Sequence, residues 1–114
     1  MSALTFSQLF TPVQLPNAVD VLFYMPTTPG TTVLKNGRVR LTNTTAGAVT
    51  ATLYADVAAT ASSAANCCLN AVSIAANSYL DVDIPTMKAG DTLRGLAGAA
   101  TSITMHEIGG VLFS

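Results

Sequence analysis

The sequence predicts an all-β fold, namely an antiparallel β-sandwich or jelly roll of about 7–8 short strands with an extended N-terminal arm. Apolar residues recur at every second position over much of the chain from Val19 onward, which is the period of a half-buried strand. Gly, Asn, Thr and Pro residues separate these segments, as turns do. No segment repeats apolar residues at the spacing of an amphipathic helix over two turns. We therefore assign residues 1–17 to the arm and residues 18–114 to one β-sandwich domain.

Three segments in the first half of the domain are predicted strands. Val19–Met25 is a run of β-forming residues, and we expect it to be buried on both faces. Arg38–Asn43 and Ala48–Ala55 both alternate apolar and polar residues, as half-buried strands do. Because only the turn residues Thr44–Gly47 separate these two segments, we expect them to form a β-hairpin.

The second half of the domain contains further predicted strands and one long connection. The strands are Asn70–Ile74, Ser78–Ile84, Thr92–Ala97 and Ser102–Ile108. A bulge near Gly95 is expected, because Leu93 and Leu96 otherwise fall on opposite faces. The Ala- and Ser-rich residues 55–66 are expected to connect two strands, with one helical turn within residues 63–69.

The N-terminal arm has neither the alternation of a strand nor any charged residue. It carries four large apolar side chains that either the chain's own domain or a neighbour must cover: Phe6, Leu9, Phe10 and Leu15. Ordering the arm costs conformational entropy of about 1–2 kcal/mol per residue, which the burial of these four side chains has to offset. We therefore predict that these four residues form an interface that becomes ordered on assembly.

Composition and charge exclude several functional classes. Charged residues make up 10% of the chain and hydrophobic residues 50%, so the chain is not intrinsically disordered. With five Lys and Arg residues and a net charge of −1, it lacks the basic surface that binds nucleic acid or an anionic membrane. The uncharged runs at residues 1–19 and 57–80 contain prolines or polar amides, so neither is predicted to be a signal peptide or a membrane span. So sparse a charged surface indicates that other protein covers much of it.

The histidine and the cysteines do not form a reactive set. His106 is the only histidine. The adjacent Cys67 and Cys68 lack the spacing with which two thiolates bind one zinc ion, and we expect them to be small buried residues. No catalytic, cofactor-binding or metal-ligating residues are predicted, so we do not expect an enzyme.

Charged residues share strand faces at two places. Asp81 and Asp83 lie about 7 Å apart by strand rise. That separation would suit acid–base chemistry or a weak Ca²⁺ site, but alternation on a solvated strand face produces the same pair. Arg38 and Arg40 share a face in the same way, and cross-strand pairing with acidic residues is the ordinary interpretation.

Three turn-containing segments resemble a known group of proteins. They are Arg40–Tyr54, Ala71–Asn77 and Lys88–Arg94. With them, residues 33–108 resemble the small virion structural proteins of tailed bacteriophages, in which such turns mark the hairpins of a compact β-sandwich. The arm lies outside the resemblance, and no ligand-binding motif of these proteins is matched.

The resemblance implies a non-enzymatic virion protein that is made in the host cytoplasm. The role we expect is a capsid decoration or cement protein that forms homo-oligomers and contacts other virion proteins such as the major capsid protein. A neck, tail-fibre or tail-completion protein is the alternative, because the same fold serves those roles. A small carbohydrate-binding or hydrolytic module that uses Asp81 and Asp83 is a third interpretation.

Overall fold

The chain folds into antiparallel β-strands, which confirms the predicted all-β class. The computed structural model describes residues 4–5, 11–27, 30–58 and 60–113. Within these ranges the strands are β1 (Leu4–Thr5), β2 (Val13–Gln14), β3 (Asp20–Tyr24), β4 (Val33–Asn43), β5 (Val49–Asp56), β6 (Cys67–Ile74), β7 (Tyr79–Ile84), β8 (Met87–Lys88), β9 (Thr92–Ala97) and β10 (Ile103–Phe113). A 3₁₀ turn, Ala64–Asn66, leads into β6. None of the described segments forms a helix that is long and apolar enough to cross a membrane.

Two antiparallel sheets pack face to face as a β-sandwich. In sheet A the order is β1-β10-β4-β7, with β2 also beside β10 and β8 also beside β4. In sheet B the order is β3-β9-β5-β6. The strands can be renumbered 1 to 8 along the chain, with β1 and β2 together as strand 1 and with β7 and β8 together as strand 6. In this numbering the order is 1-8-3-6 in sheet A and 2-7-4-5 in sheet B. This is the strand order of a jelly roll, one of the two architectures that the sequence predicts.

The core lies between the two sheets and is filled by the inward-facing residues of the alternating strands. Its most completely buried side chains on the central strands are Leu41, Ile103 and Met105 of sheet A and Leu53 and Leu93 of sheet B. On β7, Val82 and Ile84 are buried, as the alternation predicts. The outer faces of the sheets therefore carry the side chains that can meet other molecules.

Strand β3 lies at an edge of sheet B, and the prediction that Val19–Met25 is buried on both faces is wrong. Val21 and Tyr24 are exposed. The pairing with β9 shifts register between Val21 and Phe23, so that Leu22 and Phe23 both pack against the core. The continuous apolar run reflects this extra inward residue and not burial from both sides.

The irregularity expected near Gly95 lies on β3 and not on β9. Strand β9 pairs with β5 in unbroken register from Thr92 to Ala97. Gly95 has a different role, because a Cβ at this position would lie 2.6 Å from the carbonyl oxygen of Thr52. The glycine allows the neighbouring backbone to pack closely against this central strand.

The predicted hairpin between Arg38–Asn43 and Ala48–Ala55 is also wrong, because the two strands belong to different sheets. Strand β4 pairs with β10 and β7, whereas β5 pairs with β6 and β9. The turn between them is a corner that carries the chain from sheet A to sheet B. A four-residue turn can close a hairpin within one sheet or form a corner between two sheets. Side chains outside the turn decide which of the two forms.

Asn43 organises this corner. Its side chain is fully buried, and its amide donates hydrogen bonds to the carbonyl oxygens of Gly47 at 2.8 Å and of Ile74 at 3.0 Å. Its Oδ1 accepts a hydrogen bond from the N–H of Thr45 at 3.0 Å. Asn43 thereby joins the end of β4 to its own turn and to the end of β6 in the opposite sheet.

Replacing Asn43 with alanine is expected to lower the free energy of unfolding by about 1–3 kcal/mol, because the buried carbonyl of Ile74 loses its side-chain donor. Urea denaturation measures the change. Thr45→Val is the control, because it removes a hydroxyl from the partly exposed side of the same corner and should cost less. Equal losses in the two variants would contradict the role given to Asn43.

Candidate interaction surfaces

Of the four residues predicted to form an interface, the structure describes one. Leu15 is completely buried and packs in the core between the sheets. Its N–H donates to the carbonyl oxygen of Ile103 at 2.9 Å, and the carbonyl oxygen of Pro16 accepts from the N–H of Ala97 at 2.8 Å. Leu15 is thus tied to both sheets of its own domain. Three of the four lie outside the described residues: Phe6, Leu9 and Phe10.

The described part of the predicted arm is paired with the sandwich. Strand β1 pairs with the end of β10, where Leu4 lies opposite Phe113. Strand β2 pairs near the start of β10, where Val13 lies opposite Met105. Strands β1 and β2 therefore lie beside β10 at the edge of sheet A, and Pro16, which follows β2, is hydrogen-bonded to sheet B.

Large apolar side chains are exposed on the outer face of sheet B along β3. Val21 is 47% exposed, Tyr24 is 55% exposed, and Val19 just before the strand is exposed as well. Val21 lies opposite Arg94 of β9. Tyr24 lies opposite Thr92, which is on the same face of β9 as Arg94. We call Val19, Val21 and Tyr24 the β3 stripe. Exposed apolar side chains that lie side by side in this way are typical of surfaces that contact other proteins.

A buried ion pair lies beside the β3 stripe. Arg94 Nη1 donates to Oδ2 of Asp56 at 2.7 Å, and the hydroxyl of Ser62 donates to the same oxygen at 2.5 Å. The Asp56 side chain is 0% exposed, and its Oδ1 has no hydrogen-bond partner among the described residues. Arg94 therefore brings no uncompensated charge to the stripe, and the Asp56 carboxylate depends on Arg94 for its neutralisation.

Two arginine–aspartate pairs cross the outer face of sheet A. Arg40 Nε and Nη2 donate to the two carboxylate oxygens of Asp81 at 2.8 and 3.1 Å. Arg38 Nε lies 3.2 Å from Oδ1 of Asp83, which is its register partner. The Arg40 guanidinium also lies 4.2 Å from the ring centroid of Tyr79. We call these five residues the charge ladder, and the interpretation of the charged faces as cross-strand pairs is confirmed.

The Arg40 guanidinium holds the pKa of Asp81 below its ordinary value. The side-chain hydrogen bond from Arg40 is the largest cause, and the positive charges of Arg40 and Arg38 add to it, while desolvation acts in the opposite direction. The carboxylate is therefore ionised at neutral pH and both of its oxygens are engaged. A carboxylate in this state is not suited to act as a general acid.

The stabilisation from the Arg40–Asp81 pair is expected to disappear in acid. Because the pKa of Asp81 is lower in the folded state, its contribution is present above the unfolded value of about 3.9 and is lost as pH falls through the folded value. Thermal unfolding measured from about pH 6 to about pH 2 should show this loss in the wild type.

Asp81→Asn and Arg40→Met should both remove this part of the acid dependence. High salt should reduce it in the wild type, because both side chains are partly exposed. If both variants kept the full acid dependence of the wild type, the pair would not be its source.

The other reactive residues do not come together in a site within the described ranges. There, no group of three or more His, Cys, Asp or Glu side chains could hold a metal ion. Cys67 and Cys68 are free thiols that are only partly buried, so the prediction that they are small buried residues is wrong. Burial raises the pKa of the Cys68 thiol, and a protonated thiol is a weak nucleophile. His106 is exposed and lies opposite Arg40, at the border of the charge ladder.

The β3 stripe is the surface that sequence reasoning misses. Apart from Asp20, Val19–Met25 is apolar throughout, which fits an interior strand as well as an edge strand with an extra inward residue. Asp20, a charged residue inside that run, is the signal that favours an edge.

No family model, curated protein or solved structure matches the chain.

Proposed function

We propose that the chain is a non-enzymatic structural protein of a bacteriophage particle, and specifically a capsid decoration or cement protein that forms homo-oligomers on the particle. The observation that carries the proposal is the β3 stripe, which exposes Val21 and Tyr24 on the outer face of sheet B. The jelly-roll order supports it at the level of fold, because viral capsid domains are among the proteins that use this architecture.

The pairing of charges with one another also supports a role in protein contacts. The chain has five basic and six acidic residues. Three of each pair in salt bridges: Arg38 with Asp83, Arg40 with Asp81 and Arg94 with Asp56. The carboxylate of Asp91 accepts hydrogen bonds from the N–H groups of Ala58 and Lys88. On sheet B the Asp56 carboxylate is fully buried and neutralised by Arg94, so these two residues add little free charge to the outer face beside the β3 stripe, and such a face suits burial in an assembly.

The segments that resemble virion proteins build the corners of this sandwich. Asn43 lies in the first of them and joins the two sheets. Asp91 lies in the third and binds the backbone of its own turn through the N–H of Lys88. These contacts hold the corners of the sandwich in place, and the role on a particle is proposed from the exposed faces.

A neck, tail-fibre or tail-completion protein is the alternative role, because the same exposed faces would serve it. The number of copies that a particle binds separates the two. Hydrolysis is not part of the proposal, because Asp81 and Asp83 each lie within salt-bridge distance of an arginine.

Binding to particles that lack the chain tests the proposal. The purified chain is added to particles from phage in which its gene is deleted, and the bound chain is measured after co-sedimentation. We expect saturation at hundreds of copies per particle, as for a decoration protein. Saturation at a handful of copies would move the role to the neck or tail, and no binding would overturn the proposal.

A further inference from the structure

We infer that a groove at the edge of sheet A binds an acidic segment of a partner protein. The inference deepens the proposed function, because it names the chemistry of the surface that the chain contacts, and it rests on that function for the identity of the partner. Three observations carry it: an interruption of the sheet edge, hydrogen-bonding side chains without partners beside that interruption, and a local excess of positive charge.

The groove lies where strands β7 and β8 leave a gap beside β4. Strand β7 ends with Ile84 opposite Gly37, and β8 begins with Met87 opposite Leu34. Residues 35–36 of β4 therefore have no opposite residue in either of these two strands. Because β7 and β8 form an edge of sheet A, the gap is open to another molecule. It has a volume of about 430 Å³ and is lined by Asn36, Gly37, Arg38, Asp83, Ile84 and Thr86.

Two exposed lysines flank the groove on the outer face of sheet A. Leu34 and its register partner Met87 are buried in the core, so the adjacent Lys35 and Lys88 point outward. Lys88 is a diagonal neighbour of Lys35 across the two strands, and such positions lie about 7–8 Å apart. Within the described residues neither lysine forms a salt bridge. Both ammonium groups are therefore available to a ligand.

The groove also presents uncharged hydrogen-bond donors. Asn36 and Thr86 are exposed, and in the described part of the chain neither the Asn36 amide nor the Thr86 hydroxyl has a hydrogen-bond partner. The Arg38 side chain is 52% exposed, and its guanidinium carries more N–H groups than its contact with Asp83 uses. Carboxylate oxygens accept strong hydrogen bonds from donors of these kinds.

Charge around the groove favours an acidic occupant. Two carboxylates lie nearby: Asp83 is 87% exposed and contacts Arg38, whereas Asp91 is 8% exposed and accepts hydrogen bonds from backbone N–H groups with both oxygens. The cations outnumber them and are Arg38, Lys35 and Lys88. Because the whole chain carries a net charge of −1, this excess of positive charge is local.

The small number of cations favours an acidic peptide over a nucleic acid. Proteins whose affinity comes from the phosphate backbone make about 6–10 phosphate contacts, more than three cations supply. A few carboxylates on an extended peptide match the three cations and the neighbouring amide and hydroxyl groups. The occupant that we infer is therefore an extended segment of protein with several Asp or Glu residues.

Titration of the full chain with labelled hexaglutamate, followed by fluorescence anisotropy without any particle, tests the inference. At low salt we expect wild-type chain to bind hexaglutamate at least about tenfold more tightly than hexaglutamine. Lys35→Gln with Lys88→Gln should remove this preference. A wild-type chain that binds both peptides equally, or neither of them, would overturn the inference.

Gln14→Glu with Ser73→Glu is the matched control, because it lowers the net charge by the same amount at exposed positions away from the groove. Gln14 lies on β2 at the opposite edge of sheet A, and Ser73 lies on β6 of sheet B. This variant should keep most of the preference for hexaglutamate. An equal loss in the two double variants would show that the total charge, and not the groove, attracts the peptide.

Chemical-shift mapping by nuclear magnetic resonance locates the bound peptide and shows that each variant keeps its fold. Hexaglutamate should shift backbone amide signals within residues 34–38 and 83–88. Shifts confined to other parts of the chain would place the peptide elsewhere and overturn the inference.

The result is distinguishable from a failure of the proposed function. A chain that prefers hexaglutamate but does not bind particles in co-sedimentation would leave the groove and exclude the particle role. A chain that saturates particles but shows no preference for hexaglutamate would exclude the groove and leave the particle role.

Discussion

Replacing Arg94 with methionine is expected to lower the free energy of unfolding by about 3–5 kcal/mol, because it leaves a buried carboxylate without its charge partner. Asp56 is fully buried, and without Arg94 its Oδ2 would keep only the hydroxyl of Ser62. Its Oδ1 has no partner among the described residues even in the wild type. Urea denaturation followed by circular dichroism measures the loss.

The matched control is Arg38→Met, since Arg38 belongs to a pair whose acidic partner, Asp83, is 87% exposed. An exposed pair of this kind contributes about 0–1 kcal/mol. The double substitution Arg94→Met with Asp56→Leu removes both buried charges and should recover most of the stability. Equal losses for Arg94→Met and Arg38→Met, or no recovery in the double variant, would show that charge burial is not the cause.

Replacing Leu15 with alanine is expected to lower the free energy of unfolding by about 2–5 kcal/mol, the range for deleting a buried leucine side chain. Leu15 fills the core and is held by the backbone hydrogen bond to Ile103. Ile108→Ala is the control, because Ile108 is an exposed aliphatic residue of β10 and its replacement should change stability by no more than about 0.5 kcal/mol.

The Leu15 variant also distinguishes a core role from an interface role. A stability like that of the wild type, together with weaker oligomerisation, would show that Leu15 acts at an interface, as the sequence predicts. A large loss of stability in the isolated chain would place it in the core of its own domain.

The strand class and the inner faces could be predicted because a period of two is a local property of the chain. Leu41, Leu53 and Ile103 alternate with polar neighbours, and each is buried between the sheets. The faces of Arg40 and Asp81 follow from the same alternation. Their contact depends in addition on the register of β4 against β7, which alternation does not define.

The corner at Asn43 could not be predicted from its turn. The corner differs from a hairpin through a contact with a residue far along the chain, because the Asn43 amide donates a hydrogen bond to the carbonyl oxygen of Ile74. The position of β3 is equally non-local, because its pairing with β9 makes it an edge. The β3 stripe follows from that pairing. Within Val19–Met25, Asp20 favours an edge strand but does not define which side chains face outward.

Counting the chain in purified particles is the most direct test of the central claim, that it is a structural protein of a virion. Quantitative mass spectrometry with an isotopically labelled standard gives the ratio of the chain to the major capsid protein. We expect hundreds of copies per particle, in a fixed ratio to the major capsid protein. Wild-type particles that contain none of the chain would contradict the claim.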